Sequence, residues 1–130
     1  MPRAAGTFET KWDEHVHDEE GGVSRFSATV SKVFRGDLDG TASVQVLRTV
    51  GQVRTSAGYV GMERVNATLH GRAGTFVLQH NGSMSAGKLA LSVVVVPDSG
   101  TGELQGLAGE MAIVNAEGKH SYAFDYTLAD

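Results

Sequence analysis

Apolar and polar residues alternate one by one along most of this chain, in about eight short runs separated by glycine-rich or charged breaks. Successive side chains of an extended strand point to opposite faces, so this alternation fits half-buried β-strands and conflicts with the spacing of an amphipathic helix. The first run, residues 7–12, puts Phe8, Thr10 and Trp12 on one face. Residues 24–34 follow, where Phe26, Ala28, Val30 and Phe34 share a face with Lys32, and Arg25, Ser27, Thr29 and Ser31 take the other. Next comes a run with Ala42, Val44, Val46 and Arg48 on one side and Ser43, Gln45 and Thr49 on the other.

The remaining runs cover residues 57–69, 75–80, 88–96, 109–115 and 120–128. Gly58 and Gly61 inside the fourth are read as bulges, and Asn81-Gly82 as the end of the fifth. The acidic stretch at residues 13–20, followed by Gly21-Gly22, reads as a solvated loop, and residues 35–40 as a turn. Short strands in succession predict an all-β fold, a meandering barrel or a sandwich with at most one short helical segment, and the reading taken is a closed antiparallel up-and-down barrel of about eight strands. Closure removes the exposed edges that would promote aggregation. No linker or repeat divides residues 1–130, which are read as a single barrel domain.

Composition narrows the chemistry. Cysteine is absent, which excludes thiolate catalysis, iron–sulfur clusters and thiolate zinc sites. The formal charge is −4, from 15 acidic and 11 basic residues, and no basic cluster offers a field for nucleic acid or an anionic membrane. The longest apolar run, residues 89–96, is too short to span a bilayer as a helix, and the N-terminus lacks the apolar stretch of a signal peptide. The expected compartment is the cytoplasm. Large residues on both faces of residues 89–96 suggest a covered outer wall, and hence a homodimer or another homo-oligomer.

Several blocks resemble a bacterial family known as domain of unknown function 3224. They are Gly6-Thr7-Phe8-Glu9, Trp12-Asp13-Glu14, Phe34-Arg35-Gly36-Asp37-Leu38-Asp39-Gly40, Tyr59-Val60-Gly61-Met62-Glu63-Arg64, residues 71–80 and Ser99-Gly100-Thr101-Gly102-Glu103-Leu104. A looser likeness links residues 100–109 to the glycine-rich segment before a late strand in plant allene oxide cyclases and dirigent proteins. That likeness implies an eight-stranded barrel guiding a reactive intermediate held inside. Fold alone does not fix activity.

If the more apolar face of each strand points inward, that parity also carries Arg48, Glu63 and His80. A carboxylate and an imidazole inside a barrel are costly unless paired, and burial alone would raise the pKa of Glu63 and lower that of His80. Glu63 and His80 are therefore the acid–base candidates. The structural alternative pairs Glu63 with Arg48 or Arg64 and leaves His80 at a strand end facing solvent. Trp12, Arg48, Tyr59, Phe76, Leu78, Tyr122 and Tyr126 are the candidate substrate-binding residues, with the alternative that the tyrosines pack with their hydroxyls at the rim.

His15-Val16-His17 lacks a third ligand at a strand-fixed position, so no metal is expected there. The glycines of residues 100–106 have no β-α-β setting, and neither a Walker motif nor a G-x-S-x-G elbow occurs, so no cofactor is expected. Two functions fit: a cyclase or isomerase acting on a small, largely apolar substrate in the barrel, or a carrier of such a ligand with no chemistry of its own. In a third, the interior is filled by side chains and the outer surface binds a protein.

Overall fold

The computed structural model describes residues 2–128. Its strands are β1 (Arg3–Glu20), β2 (Val23–Gly36), β3 (Leu38–Val50), β4 (Ala57–Leu69), β5 (Arg72–Ser85), β6 (Lys88–Val95), β7 (Ala108–Ala116) and β8 (Lys119–Thr127). Each pairs antiparallel with the next around a closed barrel, and β8 returns to β1 from Arg3↔Asp125 to Phe8↔His120. The expected all-β barrel is the observed fold. Among the described residues, the helical content is one 3-10 turn, Gly102–Leu104.

One end of the barrel is filled. The inward positions of several strands deliver Phe34, Leu38, Leu69, Phe76 and Phe124, and Phe76 stacks on Phe124 with ring centroids 5.9 Å apart. Leu104 and Leu107, from the glycine-rich segment between β6 and β7, plug this end and are fully buried. Thr101 pins that segment to β5, donating from its N–H to the Thr75 carbonyl at 2.8 Å. Gly100 and Gly102 there serve close packing, because a Cβ would lie 1.9 Å from the Leu104 carbonyl oxygen and 2.9 Å from that of Ala73, whereas Gly106 has open space and a left-handed φ of 86°. At the other end the lining thins to a small cluster of Ala28, Val30, Val44 and Val46 with Tyr59 against it.

Four local expectations need correction. Residues 13–20 are strand: β1 stays in register with β2 as far as Glu20↔Val23, although its pairing with β8 stops at Phe8. This extension overhangs the open end and has little apolar face to bury, so charge masked its alternation. The turn at residues 35–40 shrinks to Asp37 between β2 and β3. Gly58 and Gly61 lie in continuous ladders rather than bulges, while the register shift of β1 falls between Val16 and Asp18. Asn81 and Gly82 continue β5 to Ser85, so His80 sits inside a strand.

The seam between β6 and β7 differs from the rest of the wall. A single register pair, Val94↔Glu110, joins them, whereas β6 pairs with β5 along its whole length and β7 with β8 likewise. On β6, Leu89 is exposed, Leu91 half-buried, and Val93 and Val95 buried, so its inward face closes progressively with depth.

Candidate active site

Strand β4 alternates without interruption from Gly61 to Leu69, which fixes Glu63 on the inward face. Its neighbours in register are Val44 on β3 and Leu78 on β5. His80 lies two positions along β5 from Leu78, opposite Gly61. Lys32 on β2 stands opposite Ala42, whose small side chain leaves it a path toward β4. Among the described residues, Lys32, Glu63 and His80 are the buried polar side chains.

They form one cluster. Lys32 Nζ donates to Glu63 Oε1 at 3.1 Å, and His80 Nε2 donates to the same oxygen at 2.6 Å. A carboxylate only accepts, so the proton of that second bond belongs to Nε2. This leaves His80 Nδ1 to meet the Tyr59 hydroxyl at 3.1 Å. Glu63 Oε2 is buried without a hydrogen-bond partner among the described residues.

Burial pushes the Glu63 carboxyl up, but the His80 hydrogen bond and the Lys32 charge outweigh it and hold the group below its ordinary value. The expected upward shift is thus reversed, because the carboxylate gains partners as it loses water. Tyr59 moves the other way: burial and the charge of Glu63 push its hydroxyl up to about 12. At neutral pH it is a phenol, a hydrogen-bond donor rather than a base.

The expected partners of Glu63 are also corrected. Arg64 faces outward, and Arg48 pairs with Glu14 instead, Nη2 to Oε2 at 3.0 Å. Lys32 holds the place assigned to them. Gly61 does not open space beside Glu63: a Cβ there would meet Val44 Cγ1 at 3.1 Å.

A cavity of about 210 Å³ lies above this cluster at the open end, with Lys32, His80 and Tyr59 in its wall beside Trp12, Arg48 and Leu91. That is the liquid volume of roughly seven water molecules, so the interior is not filled by side chains. Wider grooves of about 540 and 700 Å³ lie on the outer face, lined by residues such as Gln45, Leu47, Val60 and Asn81. His80 also borders the first groove and Arg48 and Tyr59 the second, but Lys32, Tyr59 and His80 come together around the smaller space inside.

Of the sequence candidates, Trp12, Arg48, Tyr59 and His80 meet at this cavity, with Glu63 directly behind His80. Trp12 is half exposed and forms part of the cavity wall. Phe76 and Leu78 belong to the packed core. Tyr122 and Tyr126 turn to the filled end: the Tyr122 hydroxyl accepts from Leu38 N–H at 2.9 Å, and that of Tyr126 contacts His70 Nδ1. Sequence reasoning missed Lys32, Glu14 and His120, the last stacked on Phe8 with ring centroids 4.9 Å apart in the cavity wall. The available signal for Lys32 was its place on an otherwise apolar strand face.

The family model described as Protein of unknown function (DUF3224) matches residues 4–126. No curated protein matches the chain. A crystal structure of a protein of unknown function from the DUF3224 family of Shewanella oneidensis MR-1 is 38% identical, covers 100% of this chain and 99% of its own, and superposes with a TM-score of 0.93. By sequence and by fold alike, the chain belongs to the DUF3224 family.

Proposed function

We propose that the barrel binds a small, largely apolar, oxygen-bearing molecule in its open-end cavity and transfers a proton to that oxygen, as an isomerase or cyclase does. The observation that carries this reading is the hydrogen-bonded chain Glu63–His80–Tyr59 running from the buried wall to the cavity. Its order resembles the carboxylate–imidazole–hydroxyl relay of covalent catalysis, but the high pKa of Tyr59 suits it to donate rather than attack. With a proton on each imidazole nitrogen, Nε2–H rests on Glu63 and Nδ1–H on the Tyr59 oxygen, so the phenolic proton is free to pass to a ligand carbonyl. Tyr59 regains it from Nδ1, and cavity water takes the α-proton released as the enol forms. Glu63 is then a positioning residue. It fixes the imidazole and stabilises its cation. The looser likeness of residues 100–109 to cyclase barrels leans the same way.

A non-catalytic carrier is the second reading, favoured by the apolar share of the wall, including Val30, Val44, Leu91 and Ile113. The cavity is below the usual range for drug-sized ligands, so cyclohexanone is a fitting probe. Its binding is followed through Trp12, the one tryptophan of the chain, and proton transfer through deuterium exchange of its α-protons in D₂O by NMR. Binding with accelerated exchange is expected. Tyr59→Phe and His80→Gln should each retain binding and lower the exchange by two orders of magnitude or more, in the range of about 10²–10⁴ for a positioned acid–base group. Binding without accelerated exchange selects the carrier, and absence of binding removes both readings.

A further inference from the structure

The charges of the cavity wall are one-sided. Lys32, Arg48, His80 and His120 all line the space, and among the described residues no Asp or Glu does. The carboxylates that balance them stand elsewhere: Glu63 behind Lys32 and His80, and Glu14 on the overhanging part of β1. A wall whose charged side chains are Lys32 and Arg48, with no carboxylate among its described lining residues, favours a negatively charged occupant.

Arg48 is the cation least committed to its present partner. Its guanidinium lies 4.7 Å over the Phe26 ring, and one nitrogen, Nη2, meets one oxygen of Glu14. Its Nε is buried without a hydrogen-bond partner among the described residues. A guanidinium offers a planar fork that matches a carboxylate through two parallel bonds, and this one is used at one tine. Both side chains of the pair are about one-third exposed, at 31% and 33%, so parting them strands neither in a dry interior.

The geometry points to Arg48 as the anchor for a carboxylate on the ligand, so that the molecule taken by the cavity is a small apolar monocarboxylate. Its anionic end displaces Glu14 from Arg48 at the mouth, and its apolar body lies against Val30, Val44 and Leu91. Glu14 is then an intramolecular stand-in that competes for the anchor. This inference rests on the cavity being a ligand site, and adds to it the charge of the ligand and the residue that reads it.

Cyclohexanecarboxylate and cyclohexanecarboxamide, equal in shape and unequal in charge, test it at pH 8 by Trp12 fluorescence and ligand-observed NMR. The wild-type protein should bind the carboxylate about tenfold or more tightly than the amide. Arg48→Met, whose side chain still covers Phe26, should lose the preference and bind the two probes equally. Glu14→Gln should strengthen carboxylate binding several-fold and leave the amide unchanged. Equal binding of both probes to the wild-type protein, or a carboxylate preference that survives Arg48→Met, overturns the inference and leaves the cavity reading standing. If neither probe binds and cyclohexanone is silent too, the cavity reading and the inference fall together.

Discussion

Lys32→Met is expected to lower the stability of the barrel by about 3–5 kcal/mol, the usual consequence of stranding one member of a buried ion pair. Glu63 is fully buried, so its charge cannot reach bulk water when Lys32 is removed. Lys32 also lies over the Phe8 ring at 4.7 Å, and methionine retains that apolar contact, so the measured loss reports the charge. Glu63→Gln should cost less, because Lys32 borders the cavity and can turn its ammonium toward water there. In the double variant the losses should be well below their sum, since both members of the pair are then neutral.

The same pair predicts a pH dependence with a definite sign. The folded-state pKa of Glu63 lies below its unfolded value, so its stabilisation is complete above the unfolded value of about 4.3 and is lost as pH falls through the folded one. Asp18 and Asp125 are also lowered, by hydrogen bonds from Arg25 and Arg3, but they are exposed and act alike in both proteins. The gap in stability between wild type and Lys32→Met should therefore narrow between pH 6 and pH 3 in urea melts. A constant gap across that range would show that the carboxylate is not the group left stranded.

Gly6→Ala should be severely damaging although it removes nothing. Gly6 pairs with Gly36 across β1 and β2, and a Cβ at Gly6 would lie 2.0 Å from the Arg35 carbonyl oxygen and 2.6 Å from the Tyr122 hydroxyl. That hydroxyl is fastened on several sides, accepting from Leu38 N–H and lying 3.1 and 3.0 Å from the Arg35 and Leu38 carbonyls. The methyl group meets backbone rather than a side chain that could swing aside. Either β1 leaves β2 or the tyrosine leaves its seat. The loss should reach at least about 3 kcal/mol, the upper part of the overpacking range. Tyr122→Phe keeps the ring and should cost about 1–3 kcal/mol for the buried partners it leaves unsatisfied. Thermal melts that rank these variants in the opposite order would mean that the strand pair yields where the tyrosine does not.

Glu63 was legible because alternation along β4 is unbroken and the period of a strand admits only two faces. The barrel was legible for the same reason. Partners were not, since pairing depends on which strands adjoin and at what stagger. Lys32 reaches Glu63 across Ala42, a relation that appears only when β2, β3 and β4 are laid side by side. Arg48 and Glu14 were hidden differently. Residues 13–20 bury little, so nothing in their pattern marks a strand, and the ladder to β2 orders them instead. Tyr122 and Tyr126 show the limit of parity: both face inward as read, but at the end of the barrel where no space remains.

The single register pair between β6 and β7 gives the wall a place to breathe. Every other junction must break a longer ladder before its strands part, so opening here should have the lowest free energy of any motion that leaves the barrel folded. Amide hydrogens at residues 88–93 and 111–116 that point into the seam should exchange with solvent well before those of β3 and β4, and uniform protection around the barrel would contradict this. Leu91 and Ile113 border both the seam and the cavity. The exit rate of a bound molecule would then follow the flicker of this seam rather than the width of the mouth, and a change on the outside of β7 could alter residence time without touching the ligand.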